Sequence, residues 1–270
     1  MKKHFLFLVV IVAVIMTSCS GYNRVVKSDD YGAKFEMANQ LYDSGKEVKS
    51  IALYEQVYQR MPKTGEGELS YFRIGKAYYA GEDFYMAGYY LGMFSKRFAS
   101  SPKAEEAMFL SALCGVQESV QPSLDQNATE LAISDLQQFI DRFPNSNLID
   151  SSNHIIDRLR FKLEVKDFDA VKLYDKTMHY RAAVSSSITF EEEHPMSEFH
   201  EENIFILTKN SYFLAKHSVD SKKMQRIEDA IERYRTFVFE FPDSKHINEL
   251  TRYYNLVLKE KEVFIEESNL

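Results

Sequence analysis

Phe143-Pro144-Asn145-Ser146 stops one helix and opens the next. The same four-residue figure occurs at Met61-Pro62-Lys63-Thr64, Phe98-Ala99-Ser100-Ser101, His194-Pro195-Met196-Ser197 and Phe241-Pro242-Asp243-Ser244. The second residues are spaced by 37, 45, 51 and 47 positions. Proline ends a helix because it lacks an N–H and its ring collides with the preceding turn. The Ser or Thr two places on carries an oxygen that can cap the helix that follows. One unit, a pair of helices, is thus used about five times. A period of this length marks a helical repeat array, whose product is a long surface for holding other proteins.

Aligning the units on these stops exposes a second register. Tyr71, Ile74, Gly75, Tyr78, Ala87, Leu91 and Phe94 precede Ala99. Ala38, Tyr54 and Val57 precede Pro62, and Ala132, Leu136 and Phe139 precede Pro144. Tyr174, Ala183 and Phe190 precede Pro195, and Ala230, Tyr234 and Phe237 precede Pro242. Small residues at Gly75 and Ala87 let two helices touch, while the aromatic and aliphatic residues fill the space around the contact. The spacing resembles the tetratricopeptide repeat. The expected fold is all-α: a superhelical array of about five tetratricopeptide-like helix pairs with a C-terminal capping helix from Ile247. Strand signals are nearly absent. Helices are expected almost without interruption, including separate ones over Leu148–Val165 and Asp167–Thr177. Gly65-Glu66-Gly67-Glu68 reads as a loop.

Hydrophobic residues make up 45% of the chain, enough for a real core and against global disorder. All ten glycines lie at or before Gly115, which suggests two halves built differently. The expected division is a signal segment at 1–18, a tether at 19–30, front repeats at 31–146 and rear repeats with the capping helix at 147–270.

Lys2 and Lys3 precede an apolar run, Phe5 to Ile15, too short to span a bilayer well. Met16-Thr17-Ser18-Cys19 follows. Small residues before a cysteine at the end of such a run resemble a bacterial lipobox. That resemblance implies a signal peptide cut before Cys19, lipid on its thiol and acylation, by palmitate or a similar chain, of its new amine. Two or more acyl chains hold a protein stably on a membrane, at about 0.8 kcal/mol per buried CH₂. Cys114 is then alone and reads as a buried structural thiol. Without the leader the chain carries 31 basic and 40 acidic side chains, a net of −9. That charge argues against nucleic acid and against anionic membrane surfaces, so the lipid and not charge would bring the chain to a bilayer.

A lead cysteine, about five tetratricopeptide units, several closings in Phe-Pro-x-Ser and a total near 270 residues together resemble the BamD family. These are lipoproteins of the complex that inserts β-barrel proteins into the bacterial outer membrane. The resemblance implies an adaptor without enzymatic activity or cofactor, anchored on the periplasmic face. Its front repeats would hold unfolded outer-membrane protein segments. Its rear repeats would dock on the periplasmic domains of the β-barrel insertase. Two departures stand out: Ala99 replaces a proline, and His194 replaces an aromatic residue. The alternatives are a tetratricopeptide lipoprotein that assembles a pilus or secretion pore or maintains the cell wall, and a glycan- or nutrient-binding lipoprotein.

A 37-residue stride aligns Phe35, Phe72 and Phe109, then Asn39, Lys76 and Leu113, then Tyr42, Tyr79 and Val116. The expected peptide groove is a mixed aromatic-polar floor of Phe35, Asn39, Tyr42, Phe72, Lys76, Tyr79, Phe109 and Leu113. Helical geometry tilts these positions away from the small residues that face the partner helix. The competing reading makes the three phenylalanines packing residues. Gly88 and Gly92, four apart, read as close helix packing.

Motifs for catalysis are missing. There is no Gly-x-Ser-x-Gly elbow and no His-Glu-x-x-His. His194 and His200 lie among Glu191, Glu192, Glu193, Glu201 and Glu202, which reads as a solvated acidic junction and not a metal site.

Overall fold

The computed structural model describes residues 21–268. The signal segment, the lipid site at Cys19 and the first residues of the tether lie outside them. Eleven helices follow Asp30: α1 (Tyr31–Asp43), α2 (Glu47–Arg60), α3 (Gly65–Ala80), α4 (Phe84–Arg97), α5 (Ala104–Glu118) and α6 (Asn127–Arg142), then α7 (Ile149–Lys176), α8 (Tyr180–Glu193), α9 (His200–Lys216), α10 (Asp220–Glu240) and α11 (Ile247–Ser268). Among the described residues there is no strand, and no helix is long and apolar enough to cross a membrane. The fold is all-α, a run of helix pairs.

The recurring stop forms the same turn each time. The N–H of its lead residue reaches back to a deeply buried side chain's backbone: Met61 to Val57, Phe98 to Phe94, Phe143 to Phe139, His194 to Phe190 and Phe241 to Phe237. Those five earlier residues are all within 1% of complete burial. The lead ring then packs on the buried one, at 5.0 Å for Phe94–Phe98 and 4.9 Å for Phe190–His194. Ala99 leaves the turn unchanged, since Ser101 N still donates to Phe98 O at 2.9 Å. His194 likewise stands in for an aromatic ring.

The serines do something different from the expected cap. Only Thr64 caps directly, accepting from Gly67 N at 3.1 Å. Ser101, Ser146, Ser197 and Ser244 accept from the N–H two residues on, and each helix starts three residues after its serine. Their hydroxyls also donate backwards. Ser101 bonds Glu68 on α3 at 2.6 Å, Ser146 bonds Glu105 on α5 at 2.6 Å, and Ser197 bonds Glu164 on α7. Each of these latches ties a new pair to the first helix of the pair before it. Charge-assisted hydrogen bonds of this kind are the stronger ones.

The chain divides into two compact units at Leu159/Arg160. The division lies inside α7, not between helices. The expected break near Lys166 does not exist, because that stretch holds no Pro or Gly and continues as helix. Gly65–Glu68 is also helix, the first turn of α3, with Thr64 as its cap.

In the front unit α1 packs on α2, α3 on α4 and α5 on α6. Ile156 and Leu159, at the start of α7, close the cluster of Ala112, Ala132 and Leu136. Glycine sets several distances here. A Cβ on Gly75 would sit 2.7 Å from Leu91 Cγ, and one on Gly67 would sit 1.9 Å from the Met61 carbonyl oxygen. Gly92 would meet Ser111 Oγ at 2.9 Å, so Gly88 and Gly92 let α4 lie close to α5.

In the rear unit Phe168 and Val171 of α7 pack with Phe190 of α8 and Ile206 of α9. Helix α9 also packs on α10 and α11. It buries Asn203, Thr208, Asn210 and Ser211. Asn203 Nδ2 donates to Ser187 O at 2.9 Å and to Glu191 at 2.6 Å. Asn210 Nδ2 donates to Asp175 at 2.7 Å, and Lys209 binds the other oxygen of that carboxylate at 2.7 Å.

Candidate functional site

Helices α1, α3 and α5 are the first helices of the three front pairs. The residues aligned by the 37-residue stride all lie on these three helices. A bonded cluster sits on α1 and α3. Arg73 of α3 donates to Asn39 Oδ1 at 2.8 Å and to Tyr54 OH at 2.9 Å, and it pairs with Asp43 at 3.3 Å. Tyr54 OH donates to the same Asn39 oxygen at 2.8 Å. The Arg73 guanidinium lies over the Tyr42 ring, 4.6 Å from its centre. Stacked this way, the cation is attracted by the ring's negative face. One turn along α3, Lys76 pairs with Glu106 of α5 at 2.7 Å and lies over the Phe72 ring at 5.6 Å.

The electrostatics match this geometry. Burial raises the Tyr42 phenol above its ordinary pKa, while the charges of Lys76 and Arg73 pull it back down. Burial raises the Tyr54 phenol further, to about 12, against the hydrogen bond and charge of Arg73. Both rings are neutral hydrogen-bonding phenols at any physiological pH.

The expected floor residues separate into two layers. The phenylalanine series packs onto the second helix of its own pair. Phe35 meets Tyr54 of α2 at 6.4 Å, Phe72 meets Phe94 of α4 at 5.2 Å, and Phe109 meets Phe139 of α6 at 5.3 Å. Phe72 is only 5% exposed and lies in the core instead of on a floor. Phe35 and Phe109 are half-buried. Asn39, Tyr42, Lys76, Tyr79 and Leu113 are half-buried and reach the surface. Asn39 and Tyr42 belong to the bonded cluster, and Lys76 pairs with Glu106 beside it. Tyr79 instead packs edge-on against Phe84 at 5.5 Å. Leu113 is not drawn into the cluster.

Sequence reasoning missed Arg73, which organises the cluster, its partners Asp43 and Tyr54, and Glu106, the partner of Lys76. The 37-residue stride carries Arg73 onto Glu36 and Leu110, which share no chemistry with it, so no repeat signal marked it.

Other titratable groups lie outside this cluster. Cys114 is buried on α5, and burial followed by the charge of Glu118 pushes its thiol up to about 12. A thiol so hard to ionise is a poor nucleophile. In the rear unit His194 Nε2 lies 3.1 Å from Asp167, with exposed Glu193 nearby. That geometry is an imidazole–carboxylate hydrogen bond and carries no metal assignment. A groove of about 610 Å³ runs along the fifth stop, with Glu198, Glu201, Glu202 and Asp243 around Phe241.

Residues 29–217 match the family described as YfiO, outer membrane lipoprotein. The chain is 23% identical over 204 residues to the outer membrane protein assembly factor BamD of Caulobacter vibrioides, covering 74% of this chain and 67% of that protein. Two solved structures overlap it more loosely. The TPR-like repeats of a kinesin light chain from Podosopora anserina share 13% identity at a TM-score of 0.34, covering 78% of this chain and 96% of that one. The apo form of RapI shares 15% identity at a TM-score of 0.36, covering 88% and 99%. The chain belongs to the YfiO family of outer membrane lipoproteins.

Proposed function

We propose that this chain is a non-enzymatic adaptor of outer-membrane protein assembly. Its front unit holds segments of unfolded β-barrel clients, and its rear unit docks on the periplasmic domains of the barrel insertase. A lipid on Cys19 moors it to the periplasmic face of the outer membrane. Family membership and the similarity to an assembly factor support the setting.

The observation that carries the client role is the Tyr42–Arg73–Lys76 face. A barrel strand alternates apolar and polar side chains and leaves its backbone polar groups unpaired until it joins a sheet. A neutral phenol, a guanidinium and an ammonium beside aromatic rings can meet both needs. The rings take apolar side chains, and the donors take backbone carbonyls or a terminal carboxylate.

The test is binding of a peptide from the last strand of an outer-membrane barrel. Combining Tyr42→Ala, Lys76→Ala and Tyr79→Ala is expected to weaken binding by about tenfold or more, the effect of losing a few central contacts. Helical content is expected to stay unchanged by circular dichroism. Unchanged affinity would remove the client face. Affinity purification through the anchored protein is expected to recover an insertase with repeated periplasmic domains. Recovery of a secretin or a peptidoglycan enzyme in its place would overturn the docking role.

A further inference from the structure

We propose that His200 is a proton-dependent clasp in the rear unit, tying α9 to α8 and α10 while its imidazole holds both protons and loosening when it loses one. The site lies apart from the client face, and the inference does not depend on the adaptor reading. His200 opens α9. Its Nδ1 lies 2.6 Å from Glu191 Oε2 on α8, and its Nε2 lies 3.1 Å from Glu240 Oε1 at the end of α10. The ring leans on Phe241 at 5.4 Å.

A neutral imidazole has one N–H and one lone pair. With an ionised carboxylate at each nitrogen, a neutral ring turns its lone pair toward an anion. Only the imidazolium donates to both. Glu191 is the charged group facing the ring from α8, and its other oxygen accepts from Asn203 Nδ2, which pins it in place. Glu240 faces the ring from α10. From α9 itself Glu201 and Glu202 point to the neighbouring groove, where Asp243, Lys245 and His246 of the α10–α11 turn also lie. His246 is itself stacked on Phe205 at 3.9 Å. Contrast His194, which meets Asp167 through a single nitrogen, an arrangement that a neutral tautomer satisfies.

Burial works against charge on the His200 ring, but the hydrogen bonds and charges of Glu240 and Glu191 outweigh it and hold the pKa above the ordinary 6.5. A folded value above the unfolded one has a definite consequence. The clasp contributes its full stability below the unfolded value and loses it as the pH rises through the folded one. Past that point Glu191 and Glu240 are two anions on either side of a neutral ring, and the start of α9 parts most readily from the end of α10.

The test uses the full chain with isotope-labelled histidines, followed by NMR from about pH 5 upward through the histidine range. His200 is assigned by its disappearance in His200→Gln. The expected result is a midpoint above 6.5, with both ring nitrogens protonated below it. Glu240→Gln is expected to move the midpoint down. Glu240 is 42% exposed in its side chain, so this variant should fold even if changes at Glu191 do not. Amide exchange at the start of α9 is expected to quicken above the midpoint in the natural chain, with no such step in His200→Gln. A midpoint at or below 6.5, or one unmoved by Glu240→Gln, would overturn the clasp.

Discussion

The front and rear units use one hairpin and one stop signal, yet they hold their helices together in different ways. In the front unit glycine sets the spacing: Gly75 against Leu91, Gly67 against the Met61 carbonyl, Gly92 against Ser111. The rear unit has no glycine at all. It fills the same role with hydrogen bonds from buried Asn203 and Asn210 and with the doubly bonded His200. Close contact without side chains is insensitive to pH and unforgiving of added volume. A buried polar network tolerates some volume but fails when a partner or a proton is lost. Glycine spacing therefore works beside the Arg73 cluster in the front unit, while the rear unit sets its contacts without glycine.

The largest expected effects probe what the units share. Phe94→Ala and Phe237→Ala each remove a fully buried ring at the stop, one per unit, and each is expected to cost about 3–5 kcal/mol. Denaturant unfolding monitored by circular dichroism measures both. A large cost in only one unit would mean the stop is not a common keystone.

Next come the differences. Gly75→Ala is expected to cost about 1–3 kcal/mol, because its Cβ would overlap Leu91. Asn210→Ala is expected to cost about 1–3 kcal/mol, by leaving an Asp175 oxygen and the Ile206 carbonyl short of a donor. Hydrogen exchange resolved by segment separates the two, with protection lost on α3 and α4 in the first and on α7 and α9 in the second. Loss spread evenly over both units would erase the contrast.

The smallest effect is a gain. Glu82 sits at φ 59° in the turn between α3 and α4, where the equivalent turn after α1 has Gly45 at φ 74°. Glu82→Gly is expected to stabilise the front unit by about 1 kcal/mol, seen as a raised unfolding midpoint. A loss would show that the Glu82 side chain contributes more than its backbone strain costs.

Much of this was legible in the sequence because it recurs. The stops, the buried residue four places before each, and the small residues between paired helices all announce themselves by repetition. What did not repeat was hidden. Arg73 organises the front cluster, yet its counterparts are Glu36 and Leu110. The sequence reading divides α7 near Lys166, where no Pro or Gly forces a break and the helix runs on. The 37-residue stride aligns Phe72 with Phe35 and Phe109, but periodicity alone does not tell a residue that packs inward from one beside it that reaches out. The serine latches to Glu68 and Glu105 join residues more than thirty positions apart, a pairing visible only once the chain is folded.

The most direct test of the central claim is site-specific capture of a barrel-strand peptide. A photoreactive residue is placed at position 42 or 76 on the α1–α3 face, or at position 85 on α4, where Tyr85 is 75% exposed. Capture from 42 and 76 with little from 85 is the predicted result. Equal capture from all three, or capture from 85 alone, would contradict it.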